Sequence, residues 1–166
     1  MTVQISSIKV VDSPVGRLAI SATKAGVCKL DFLGGSATKL EFEQDPDASA
    51  HCESAAVWLK GFFSGYKADY DSAIDISGTD FQRAVWNEIA SIGFGEVKTY
   101  GDIAKAIGRP QASRAVGAAV GSNPLPLIIP CHRVLGANGK ITGYSGGDGL
   151  PTKRILLKHE AIGYQE

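Results

Sequence analysis

Cysteine is scarce in this chain of 166 residues: Cys28, Cys52 and Cys131 are the only three, and no two of them form a CxxC pair. They cannot all pair with one another, which argues against a disulfide scaffold and for a reducing compartment, so a cytoplasmic protein is expected. Long apolar runs are missing too. None approaches the ~18–20 residues that a membrane-spanning helix needs, so no membrane partner is expected. The opening Met1-Thr2-Val3-Gln4 has no basic stretch followed by an apolar one, the pattern of a secretory signal. Internal repeats and low-complexity tracts are absent. Overall charge is absent as well, with 17 Lys+Arg against 17 Asp+Glu.

That balance hides an asymmetry. Residues 1–80 carry 7 basic against 11 acidic side chains, and residues 81–166 carry 10 against 6. A basic C-terminal half suits a polyanionic partner. The patterning divides the chain near Ser77–Gly78, giving an α+β fold with domains 1–77 and 78–166. In the first, Gln4–Val11, Arg17–Thr23 and Val27–Leu33 are expected as three antiparallel strands, with turns at 12–16 and Ala25-Gly26. A loop with a short helix is expected over 36–50. An amphipathic helix over Ser49–Phe63 turns Val57, Leu59, Phe62 and Phe63 to the core, and Ala73–Ile76 is a candidate short strand. In the second, Thr79 or Asp80 caps a helix to about Ile92, with Phe81, Val85, Trp86 and Ile89 on one face. Thr99 caps a short helix that ends at Gly108, and Pro110 opens the next, to about Gly121. Helix, Gly-containing turn, helix is the helix-turn-helix layout, which makes Gln111–Gly121 the candidate recognition helix. Residues 122–150 are loop-rich, and Pro151–His159 forms a last helix, basic at Lys153 and Arg154.

The chemistry concentrates in Ile128-Ile129-Pro130-Cys131-His132-Arg133-Val134. Cationic neighbours favour a thiolate, and the thiolate is the nucleophile. Adjacent Cys131 and His132 side chains diverge on any regular backbone, so a bridging water joins them more easily than a direct hydrogen bond. Upstream stand Arg114-Ala115-Val116-Gly117 and Asn123-Pro124; downstream stands Gly143-Tyr144-Ser145-Gly146-Gly147. This ordered set resembles the active-site region of the O6-alkylguanine-DNA alkyltransferases, the methylated-DNA–protein-cysteine methyltransferases. The likeness is specific over roughly Thr79 to Glu160 and loose before it.

The resemblance implies a small RNase H-like N-terminal domain, a helical C-terminal domain carrying helix-turn-helix and active site, no cofactor, and a monomer. It implies direct reversal repair: the alkyl group on O6 of guanine, or O4 of thymine, passes irreversibly to Cys131. It casts Glu160 as the carboxylate that orients His132, and His132 as the base that deprotonates Cys131 through a water. It casts Tyr100 as donor to a ring nitrogen of guanine and as an aid to nucleotide flipping, and Arg114 as the finger that fills the gap left behind. The partner is double-stranded DNA containing O6-alkylguanine, entered from the minor groove. Ala115, Gly117, Ala118 and Gly121 give the recognition helix the small face that close approach to a narrow groove needs. The same small residues equally suit tight helix–helix packing, and a core aromatic at a helix start is the alternative for Tyr100. Asn123 matches a hinge asparagine, although asparagine before proline is ordinary turn chemistry. Asn123, Pro126, Val134, Tyr144 and Ser145 are expected at the substrate pocket.

Between Gly147 and Lys153 the chain is about two residues longer than is usual for the family. Some members hold a structural zinc in the N-terminal region; Gln4 and Thr23 stand where two of its cysteines would fall, so no metal is expected. His51-Cys52 has no partner ligands at metal spacing. The main alternative is a non-catalytic alkyltransferase-like DNA-binding protein, which retention of Cys131 disfavours. An alkylation-responsive regulator needs a further metal-thiol domain, and a cysteine hydrolase fits neither the Cys-His order nor the missing nucleophile-elbow pattern.

Overall fold

Ser13 shapes the first turn: its hydroxyl donates to Gly16 O at 2.6 Å and accepts from Val15 N, and Gly16 takes a left-handed φ of 97°. The turn joins β1 (Ser7–Val11) to β2 (Leu18–Ala22), which pairs in turn with β3 (Val27–Phe32), giving an antiparallel sheet of order β1-β2-β3. A computed structural model describes residues 3–35 and 44–166. The stretch 36–43 of the expected loop lies outside the described residues. The chain forms two compact units, Met1–Ser77 and Gly78–Glu166.

In the first unit, α1 (Pro46–Phe63) packs on all three strands. It starts earlier than the apolar periodicity indicates, because Asp45 accepts from Asp47 N and Ala48 N and Pro46 supplies a preset first helical residue. Its buried face is Ala48, Cys52, Ala55, Leu59 and Phe62, spaced three and four apart. Val57 was expected on that face and is instead 70% exposed. Two residues before Leu59 lies about 200° around a helix, so both cannot point inward. Phe63 is half-buried. The candidate strand near Ile74 is reduced to a parallel bridge with Val27, supported by the Thr23 hydroxyl donating to Asp75 Oδ2 at 2.5 Å.

In the second unit, Thr79 caps α2 (Asp80–Ala90) with a reciprocal capping box through Gln82, and Thr99 caps α3 (Tyr100–Ala106) the same way through Asp102. Val85, Trp86 and Ile89 of α2 are buried, and the Trp86 indole donates to Ala119 O at 2.8 Å. Helix α4 runs over Ser113–Gly121, not from Pro110. Pro110 sits inside a turn closed by Ala112 N donating to Arg109 O at 2.9 Å. Its fixed φ serves the second position of a turn as well as the first of a helix, and no side chain caps α4. Strands β4 (Lys98–Thr99) and β5 (Val134–Leu135) form a two-residue parallel ladder. β4 runs directly into α3 and β5 follows directly from a 3-10 turn at Cys131–Arg133, so the ladder aligns Tyr100 with the cysteine turn. Helix α5 (Leu150–His159) closes the unit.

The α1 assignment predicts opposite outcomes two residues apart. Val57→Ala should shift unfolding free energy by less than about 0.5 kcal/mol. Leu59→Ala should cost about 2–5 kcal/mol in a urea titration, since it leaves a cavity.

Candidate active site

The cysteine turn is built on a strained and heavily bonded segment. Leu127 is buried with a left-handed φ of 73°, a conformation that costs a β- or γ-branched residue on the order of 1 kcal/mol or more. Asn123 holds it there: its Oδ1 accepts from Leu125 N at 2.9 Å and its Nδ2 donates to Ile129 O at 2.7 Å. Ile129 N donates to Leu125 O at 2.7 Å, and Cys131 N to Ile129 O at 2.7 Å. The chain thus arrives at Cys131 in one geometry.

Beyond it lies a buried ionic cluster. His132 is fully buried, and Arg133 and Glu160 nearly so. The His132 Nε2–H donates to Glu160 Oε1 at 2.8 Å. Arg133 grips the same carboxylate through Nε and Nη2 at 2.8–3.0 Å and donates Nη1 to Ile92 O at 2.6 Å. Gly95 N donates to Oε2 at 3.0 Å. Burial alone would push the Glu160 carboxyl up, but the hydrogen bonds from His132 and Arg133 hold it down at about 2. Burial pushes His132 the other way, below the ordinary imidazole value, against the opposing pull of Glu160. An ionised Glu160 can only accept, so the proton of a neutral His132 sits on Nε2 and Nδ1 is the basic nitrogen.

Arg133 is therefore spent on Glu160. A cation that does act on Cys131 is Lys153, in the last helix that the sequence marks as basic. Lys153 is 1% exposed, in line with buried Leu156 and Leu157 on α5, and its Nζ donates to Val134 O at 2.7 Å and Thr142 O at 3.3 Å. Burial lowers it to about 8, opposed by the proximity of Cys131. Burial also raises the Cys131 thiol, against hydrogen bonding from Asn123 and Tyr144 and the Lys153 charge. Nearby cations favour the thiolate, as the sequence indicates, but burial is the larger influence and leaves the thiol above its ordinary value.

Cys131 opens on a cavity of about 340 Å³ with Tyr100, Tyr144, Ser145, Gly117 and Gly121 in its walls. Burial and the neighbouring cysteine push the Tyr144 phenol well above its ordinary value. The Ser145 hydroxyl donates to Gly121 O at 3.1 Å, tying the pocket loop to the end of α4. Asn123, Pro126 and Val134 do not line the cavity; the Asn123 side chain is engaged with the turn backbone. Val134 is fully buried on β5 and Pro126 is buried in the 123–131 turn, bridged to Ile129. On α4, Val116, Ala119 and Val120 face inward, leaving Arg114, Ala115, Ala118 and Gly121 as an exposed face. Sequence reasoning missed the burial of Lys153 beside Cys131, the pairing of Arg133 with Glu160, and Thr142. The spacing of Lys153 to Leu156 and Leu157 was the available signal for the first.

Comparison with known proteins gives a consistent answer. The family model described as "6-O-methylguanine DNA methyltransferase, DNA binding domain" matches residues 80–162. A methylated-DNA–protein-cysteine methyltransferase of Methanosarcina acetivorans is 42% identical over 153 residues, covering 90% of this chain and 94% of the relative. One from Mycobacterium bovis is 41% identical, covering 92% and 90%. Among solved structures, the Mycobacterium tuberculosis OGT in complex with DNA superposes with a TM-score of 0.79 at 40% identity, covering 92% of this chain and 91% of that one.

The depressed Glu160 carboxyl sets a pH signature. Folded Glu160 titrates near 2 and an ordinary carboxyl near 4.5, so the unfolded chain takes up the proton first as pH falls. Its stabilisation is complete above about 4.5 and is lost toward 2. Glu160→Gln should flatten the decline of unfolding free energy across that window in urea titrations. The variant should also melt lower at neutral pH, because the Arg133 charge is left buried and uncompensated.

Proposed function

The chain belongs to the methylated-DNA–protein-cysteine methyltransferase family, and from that premise we propose that it repairs DNA by moving the alkyl group of O6-alkylguanine onto Cys131 in one irreversible turnover. The observation that carries this is Cys131 at the wall of a cavity, followed directly by a histidine locked onto a buried carboxylate. O4-alkylthymine offers the same electrophilic carbon and is a second substrate.

Glu160 fixes the His132 tautomer, and Nδ1 takes the Cys131 proton through a water, because neighbouring side chains diverge in the turn. Lys153 steadies the thiolate as it forms. Sulfur attacks the alkyl carbon, the S–C bond forms as the C–O6 bond breaks, and the electron pair stays with guanine. Tyr100 donates to a ring nitrogen of the departing base. The proton lost by the thiol is regained by guanine, so the reaction balances without a cofactor. The product is a thioether, which has no carbonyl for water to attack, and Cys131 is not regenerated.

The target atom lies inside the base stack, so the nucleotide turns out into the cavity at a cost of a few kcal/mol. Arg114, exposed on the first turn of α4, fills the gap. Ala115, Ala118 and Gly121 on the same face, with Gly117 beside them at the cavity, let the helix backbone approach the minor groove of duplex DNA without reading sequence. Asn123 keeps the cysteine turn in register with α4. One chain carries every group the reaction needs, which suits a monomer, and the three unpaired thiols suit the cytoplasm.

Stoichiometry is the test. Excess duplex carrying O6-methylguanine should be repaired to at most one lesion per protein molecule, with one methyl's gain in mass on Cys131 that reductant does not reverse. Cys131→Ser should abolish transfer while keeping binding to alkylated DNA within about tenfold. Several lesions repaired per molecule, with Cys131 recovered unmodified, would refute the proposal.

A further inference from the structure

Thr142, in the loop between β5 and α5, has no part in the relay from Glu160 to Cys131, yet three contacts define its place. Its carbonyl accepts from the buried Lys153 Nζ at 3.3 Å. Its methyl lies against Gly136: a Cβ built there would stand 3.0 Å from Thr142 Cγ2 and 3.2 Å from Lys140 O. Its hydroxyl lies 2.9 Å from the Tyr100 hydroxyl, and either can be the donor. A β-branched residue is stiff at χ1, so with backbone and methyl both fixed the hydroxyl is committed to the direction of Tyr100. The Tyr100 ring is bounded elsewhere by α4, where a Cβ at Gly117 would lie 3.8 Å from it.

We infer that Thr142 is a positioning residue for Tyr100: it holds the phenol aimed into the alkyl-transfer cavity and donates a hydrogen bond to its oxygen when the phenol proton turns to the substrate. The inference rests on the transfer reaction proposed above. A hydroxyl offers one donor and two acceptor positions, so Thr142 can accept from Tyr100 in the empty site and donate to it in the occupied one. As the C–O6 bond breaks, negative charge spreads over the purine and draws on the Tyr100 proton. The phenol oxygen then gains charge, which the Thr142 O–H meets. Hydrogen bonds in series polarise one another, so the second strengthens the first where charge develops. No group is consumed: the proton balance remains that of thiol and guanine.

A purely structural Thr–Tyr contact would act on folding and not on the chemical step. The test is a double-mutant cycle on single-turnover transfer to Cys131 from duplex O6-methylguanine, followed by intact mass. Thr142→Val keeps the branch and loses the hydroxyl; it should lower the limiting rate constant about fivefold or more. The half-saturating DNA concentration should change less than about twofold, because the Thr142–Tyr100 bond persists with its direction reversed on binding and strengthens only as charge develops in the transition state. In a Tyr100→Phe background the same substitution should have no further effect. Thr142→Ser should recover most of the rate, and Thr142→Ser against Thr142→Ala gives the same comparison should Val unfold the protein. A wild-type rate in both hydroxyl-free variants, or an equal loss with and without the Tyr100 hydroxyl, would overturn the inference. Wild-type protein that gains no alkyl mass on Cys131 would overturn the transfer reaction, and the inference with it.

Discussion

A carboxylate buried to 3% exposure, Glu160, is the group on which the rest of the site depends. Moving such an ion out of water costs several kcal/mol even after relaxation, and only an excellent set of donors offsets that. Here the donors come from His132, the Nε–Nη2 edge of Arg133, and the Gly95 amide. These donors come from two pieces of chain, the cysteine turn and the break after α2, and the carboxylate itself stands at the end of α5. The carboxylate is thus a fastener for three segments and, in the same stroke, the group that sets the tautomer of His132. Fold stability and chemical competence share one interaction, which suits a protein whose reactive cysteine must be held accurately through a single event.

The remaining features serve the same rigidity. A left-handed Leu127 is tolerated because Asn123 bonds both limbs of its turn. Lys153 donates to two backbone carbonyls, and its charge acts on Cys131 with no carboxylate paired to it among the described residues. The β4–β5 ladder is only two residues long, but it joins the two strands that deliver Tyr100 and Cys131. Small residues on α4 leave the rim of the cavity low, and Ser145 ties that rim to the pocket loop.

How far the sequence foretold this varied with the kind of signal. Local chemistry was legible: the Thr79 and Thr99 caps, the Ser13–Gly16 turn and the three strands need only neighbours in the chain. The Cys131-His132 pair and Glu160 were legible through the family's motif, and the two extra residues before Lys153 left Glu160 in register with His132. Where one residue serves two structural roles, the sequence misled. Pro110 fits a helix start or a turn, and only the Arg109–Ala112 hydrogen bond decides between them. Charged residues misled for a different reason. Lys153 was legible only as part of a basic helix and Arg133 only as a cation beside the thiol, and their burial depends on carbonyls and a carboxylate that come together only in the folded unit. Thr142 was invisible because its meaning lies in a contact with Tyr100, 42 positions away.

The central claim is that Glu160 holds His132 as a neutral base, protonated at Nε2, beside a thiol that burial keeps from ionising unaided. Ring-nitrogen NMR of the unreacted protein, with ¹⁵N in its histidines and His132 assigned by its Gln variant, tests this directly at neutral pH. The account predicts one protonated nitrogen, Nε2, and one bare nitrogen, Nδ1, with the ring charging only below the ordinary imidazole range. A doubly protonated imidazolium at neutral pH, or a proton on Nδ1, would contradict it.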